Sequence, residues 1–136
     1  MTTINNYYNS EKAQLAVLVK MAKADNEVKG SEDMFLRLMA RKLNLSMSEF
    51  EDIYNDADKY DFIPPVNQEE KYVMFYILIQ MMKVDLSVDV EEIEFCKEVG
   101  IKLGIAENKI EEIIKLSIIK NKEVVEYDEI KAMLEI

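Results

Sequence analysis

Histidine is absent from these 136 residues, and cysteine occurs once, at Cys96. Without histidine there is no Ser-His or Cys-His catalysis and no histidine-containing zinc site. Any metal must then be held by oxygen, which selects Ca2+, Mg2+ or Mn2+. A single cysteine excludes an intrachain disulfide, so nothing calls for an oxidising compartment. Prolines number two and glycines three. That scarcity favours helices joined by short turns over a turn-rich β fold. Arginine occurs only at Arg37 and Arg41, and the net charge is −10. Phosphate backbones need cations to replace their counterions, so nucleic acid is not an expected partner. The longest apolar run, YVMFYILI (72–79), is too short to span a bilayer. The N-terminus, MTTINNYYNSEK, has neither the basic start nor the apolar centre of a signal peptide. These features together predict a cytoplasmic chain without a membrane span.

What the chain does have is a repeat. Positions 15–54 align with 75–114 at an offset of 60 without a gap, with 11 identities in 40 positions. They include Leu18/Leu78, Met21/Met81, Phe35/Phe95, Leu43/Leu103 and Ile53/Ile113. Chance gives about two to four. This reads as two copies of one structural unit, related by a pseudo-two-fold axis. By length the chain is one domain, 1–136, able to bury roughly 65–70% of its unfolded surface.

Each copy reads as three helices. Leu15, Leu18, Val19 and Ala22 form an i, i+3, i+4, i+7 stripe in a helix over 10–24. Phe75, Leu78, Ile79 and Met82 match them in a helix over 67–84, entered through Pro64-Pro65 and capped by Asn67 with Glu70. This second helix is apolar nearly all round, so it is expected to be the most buried. Second helices are predicted over 31–43 and 90–103, closed by Asn44 and Gly104. Third helices follow, one capped by Ser46 with Glu49 and carrying Phe50, Ile53, Tyr54 and Ala57. The other carries Ile110, Ile113, Ile114 and Ile118. The tail, 121–136, is predicted to be one more helix with Val124, Tyr127, Ile130 and Leu134 on one face. The expected fold is all-α: two pseudo-symmetric three-helix units plus a C-terminal helix in a single compact bundle.

The repeat preserves an acidic turn. KADNEVKGSE (23–32) recurs as KVDLSVDVEE (83–92), keeping Lys, Asp, Val and Glu in register. Neither is an EF-hand, because the glutamate at position 12 of the loop is missing twice. Asp25 and Asp85 lie at helix C-termini, where the macrodipole disfavours an anion by about 0.3–1 kcal/mol. A structural reading offsets that cost with an Asx turn, Val28 and Val88 plugging the core and Glu32 and Glu92 serving as N3 residues. Asp89 with Glu92 has capping-box spacing, whereas Lys29 is a poor cap, leaving Glu32 less reason to be there. A functional reading places Asp25 with Glu32, and Asp85 with Glu92, around a hard cation.

The pattern of Ala24-Asp25, Val28, Glu32 and a second helix ending in LNLS resembles the TerB family of tellurite-resistance proteins. VDLSVDVEE running into KLGIAENKI is similar to that family's second half, so the resemblance covers 15–116. It implies an all-α bacterial module associated with stress and tellurite resistance, non-catalytic, with a divalent-metal site of acidic residues and protein partners. Carried over by position, the metal residues are Asp25, Glu32, Asp85 and Glu92, and no organic cofactor is implied. Where the family follows the aspartate with glycine, this chain has Asn26 and Leu86. Asparagine tolerates a left-handed backbone and leucine does not, so the second turn must differ in shape. A pure protein-interaction scaffold with structural turns is the alternative. A carboxylate-based hydrolase is a third reading, and no nucleophile-base pair accompanies its acids.

Three further features invite a role. EFEDIYNDADKYD (49–61) holds six acids and one lysine, either a solvated face or a dock for a basic partner. The methionines Met21, Met34, Met39, Met47, Met74, Met81 and Met82 read as core filling, or as a groove for a partner helix. Cys96, matching Leu36, reads as a small buried hydrophobe.

Overall fold

A computed structural model describes residues 3–24, 26–84, 89–120 and 123–135, with side chains from Glu11 onward. Among them every regular element is a helix. The chain divides into two compact units, Met1–Ile63 and Pro64–Ile136. The first holds α1 (Thr3–Ala22), α2 (Gly30–Lys42), α3 (Met47–Asn55) and a 3-10 turn (Ala57–Lys59). The second holds α4 (Gln68–Lys83), α5 (Val90–Lys102), α6 (Glu107–Ile119) and α7 (Tyr127–Glu135). YVMFYILI is the body of α4.

In the first unit α1 packs against α2, α3 and the 3-10 turn. Leu15, Leu18, Val19 and Ala22 of its predicted stripe are buried, and Leu36, Ala40, Phe50, Ile53 and Ala57 meet them in the core. Burial of this kind contributes roughly 1.5–3 kcal/mol for each large side chain. In the second unit α4 packs against α5, α6 and α7. Its core includes Phe75, Leu78, Ile79, Met82, Cys96, Ile110, Ile113, Val125 and Ile130. The expectation that α4 is the most buried helix does not hold. The unbroken run Leu15 to Val19 in α1 is buried as fully. Two lysines of α1 turn their ammonium groups onto the rest of the unit: Lys12 reaches Glu49 at 3.8 Å and Lys20 donates to the Tyr60 carbonyl at 2.9 Å.

Boundaries of the second helices recur sixty residues apart. α2 and α5 end in the same motif. Asn44 (φ 61°) and Gly104 (φ 86°) take the left-handed conformation just past the helix. Leu45 N–H then reaches the Ala40 carbonyl at 3.0 Å, and Ile105 N–H reaches that of Gly100 at 3.1 Å. These are Schellman closures, which satisfy carbonyls left over at a helix end. At the start of α3, Ser46 Oγ accepts from Glu49 N–H at 3.1 Å, while Glu49 accepts from Ser46 N–H at 2.8 Å. Asn67 caps α4, accepting from Glu70 N–H at 3.1 Å.

The copies diverge after their third helices begin. α3 stops at Asn55 and yields to the 3-10 turn, whereas α6 runs on to Ile119. Asn55 and Asp56 are weak helix formers where α6 has Lys115 and Leu116. Two face assignments need correction. Ile118 is 43% exposed, and Ser117 is buried in its place, its hydroxyl donating to the Ile113 carbonyl at 2.8 Å. Val124 is 67% exposed while Val125 is fully buried. The cause is that α7 starts at Tyr127, so residues 123–126 do not follow helical periodicity.

Candidate functional site

The acidic turn of the first unit leaves α1 and enters α2. Asn26 adopts φ 66°, as an asparagine standing in for glycine should, and its N–H bonds the Lys23 carbonyl at 2.9 Å. Val28 is half-buried rather than a full plug. Lys29 occupies the N-cap position with extended backbone, and Glu32 is N3. Glu32 Oε1 accepts from Lys29 N–H at 3.0 Å. Glu32 therefore does have a capping reason to be there, contrary to expectation. A lysine side chain has no acceptor to return the bond, so only half of a capping box exists. Glu32 is only 1% exposed, and its Oε2 has no hydrogen-bond partner among the described residues.

In the second unit Asp89 is the N-cap of α5 and Glu92 is N3. The Asp89 side chain makes no capping hydrogen bond, so the predicted box does not close there. Glu92 is buried to the same 1% as Glu32. Asp25, Asp85, Leu86 and Val88 lie outside the described residues. The structure thus places two of the four predicted metal residues, Glu32 and Glu92, at matching buried positions in their own units. Among the described residues no three acidic or cysteine side chains form a group that could hold a metal ion.

The repeated lysine carries a role that sequence reading missed. Lys23 donates its ammonium to the Tyr54 carbonyl in the last turn of α3 and lies 4.5 Å from the Tyr54 ring. Lys83 donates to the Lys120 and Glu123 carbonyls, both at 2.7 Å, just past α6. Burial lowers the Lys83 pKa. Each lysine thus sets a positive charge on the negative end of its unit's third helix. One turn earlier the correspondence continues. Lys20 holds the Tyr60 carbonyl and Gln80 holds that of Val125, each at 2.9 Å. The signal was available, since Lys23 and Lys83 stand in register in the repeated motif.

The acidic run over 49–61 is partly neutralised from within. Asp52 takes the Lys59 ammonium at 3.0 Å and the Tyr60 hydroxyl at 2.5 Å, and these bonds lower its pKa. Cys96 is fully buried, its thiol pushed up to about 12 by desolvation, so it is not a nucleophile at ordinary pH. Of the methionines, Met21, Met74, Met81 and Met82 are core, whereas Met34 and Met47 are exposed.

No family model, curated protein or solved structure matches the chain.

Proposed function

We propose that the chain is a non-catalytic, TerB-like module that binds a divalent cation at its acidic turns and engages protein partners. The observation that supports the cation is Glu32: a carboxylate buried to 1% exposure, with one oxygen on a backbone N–H and the other without a hydrogen-bond donor among the described residues. A buried charge in that condition costs several kcal/mol unless something positive offsets it. A hard cation shared with Asp25, seven residues earlier, meets that need with oxygen ligands alone. Glu92 and Asp85 would form the second site. Stress and tellurite resistance belong to this proposal through the resemblance of the acidic motif.

The experiment is titration of the isotope-labelled protein with Ca2+, Mg2+ and Mn2+ under NMR. The reading expects saturable changes confined to 23–33 and 83–93, lost in the double variant Asp25→Asn, Asp85→Asn. Glu32→Gln keeps the acceptor for Lys29 N–H and should still fold, but should weaken the first site. Diffuse changes across 49–61 would sink it.

One observation favours a second reading, a pure interaction scaffold with structural turns. The 3.0 Å bond from Lys29 N–H to Glu32 is a capping contact that needs no metal. On that reading Glu32→Gln leaves stability unchanged or raised, and no cation moves the spectrum.

A further inference from the structure

The two arginines of this acidic chain border one groove. A cavity of about 230 Å3 is lined by Arg37, Ala40 and Arg41 of α2, by Leu45 and Ser46, and by Met47 and Phe50 of α3. Arg37 is anchored there. Its Nε donates to Asp33 at 2.9 Å, its Nη1 approaches the Met47 sulfur at 3.7 Å, and its guanidinium lies 4.9 Å from the Phe50 ring. Arg41 is exposed and has no ion pair among the described residues. Met47 of the cavity lining is 60% exposed, and on the adjoining face of α2 Met34 is 73% exposed and Leu38 46%. Met34, Leu38 and Arg41 stand at i, i+4 and i+7 of α2, so they form one stripe.

The repeat shows that the fold does not require this stripe. Sixty residues on, at equivalent places of α5, stand Glu94, Glu98 and Ile101, with both glutamates exposed. The same helix, ending in the same closure, is stable with acids where α2 presents Met and Leu. The apolar stripe and its arginine therefore belong to the first unit alone, and folding does not explain them. Exposed methionines adapt to a partner's side chains at little cost in geometry. A terminal guanidinium at the end of an apolar stripe matches a carboxylate one or two turns from apolar anchors.

We propose that the α2–α3 groove docks an amphipathic helix of a partner protein, with apolar anchors over Met34, Leu38 and Met47 and a carboxylate on Arg41. Charge complementarity selects the occupant. The cavity lining holds both arginines and no acidic side chain, and Arg41 faces solvent, so an acidic helix is favoured here over a basic one. This rests on the protein-engaging half of the proposed function and is independent of the cation.

The test uses the full chain and three synthetic helical peptides. One has leucines at i, i+4 and i+7 flanked by glutamates, one has the same leucines flanked by lysines, and one has serines for the leucines with the glutamates kept. The proposal expects saturable NMR changes over 34–50 with the acidic leucine peptide only. Arg41→Glu should weaken that binding by about fivefold or more, the scale of one charge pair and its reversal. Met34→Ser with Met47→Ser should abolish it. Because these side chains are exposed, circular dichroism and the melting temperature should not move. Equal binding of the lysine peptide, or changes mapping to another face, would overturn the groove assignment while leaving partner binding standing. No binding by any peptide would overturn both. Sedimentation showing self-association that Met34→Ser abolishes would overturn it in favour of a second copy as occupant.

Discussion

Gly100 shows how closely single residues are specified. A Cβ built there would stand 2.7 Å from Ile110 Cδ1, 3.1 Å from Ile110 Cγ1 and 3.1 Å from the Phe75 ring. Its counterpart in the first unit is Ala40, which faces a core with Leu15 where Phe75 stands and Phe50 where Ile110 stands. The methyl that Ala40 keeps has been exchanged for ring volume at position 75. Gly100→Ala should therefore destabilise by about 1–3 kcal/mol, since Phe75 and Ile110 are fully buried and have little room to yield. Urea denaturation checks it, and an unchanged midpoint would show that the Ile110 side chain simply rotates away. Lys83 makes the second residue-scale case. Lys83→Met keeps the stem but strips the donors from the Lys120 and Glu123 carbonyls. The relief of burying an ammonium offsets part of that loss, leaving a net cost of about 1–2 kcal/mol, readable by the same denaturation. The repeated lysine was visible in the sequence, but its acceptors were not, because they lie 37 and 40 residues away.

Among the elements, α7 is held by polar contacts with clear pH consequences. The Tyr127 hydroxyl donates to Glu69 at the start of α4, Lys131 pairs with the same carboxylate at 3.0 Å, and Lys120 pairs with Glu129 at 2.7 Å. The Tyr127 and Tyr76 rings meet edge to face with centroids 5.4 Å apart. Hydrogen bonds from Tyr127 and Lys131 lower the pKa of Glu69, and the Lys120 bond lowers that of Glu129, both from 4.5. As pH falls, the unfolded chain takes up these protons first. The stability they contribute is complete above pH 4.5 and is lost as pH drops through the lower folded values. Amides of α7 should therefore exchange with solvent faster as pH is lowered below about 4.5, measured relative to α4 after correction for intrinsic rates. An α7 that stays protected until the whole second unit opens would contradict this. Burial and the Glu69 bond push Tyr127 up to about 12, so an absorbance titration should show a phenol ionising at that high pH, and Glu69→Gln should bring it down. Helix existence and the Asn44 and Gly104 closures were readable in the sequence because they follow local rules. The start of α7 was not, because residues 123–126 are non-helical and the Val125 carbonyl is taken by Gln80, 45 residues away in sequence.

For the molecule, the division at Ile63–Pro64 is the consequential feature. Residues 61–67 have no helical structure, Val66 is 96% exposed, and two prolines remove backbone donors. Limited proteolysis by a broad-specificity protease should cut first within 61–67 and release two fragments that remain folded long enough to be seen. A first cut within α7 or between α2 and α3 would argue against that boundary.

The chain's local chemistry by itself determined the helical class, the repeat, the Schellman ends and the Ser46 and Asn67 caps, because each depends on side chains a few residues apart. Only the tertiary structure decided that Glu32, Glu92, Ser117 and Lys83 are buried and that Met34, Met47 and Arg41 face solvent. The physical reason is that burial is set by whichever helix packs across the gap. Lys83 and Ser117 go inside onto backbone carbonyls, Glu32 goes inside with one oxygen on the Lys29 N–H, and Met34 and Met47 stay exposed because no described helix of their unit covers them.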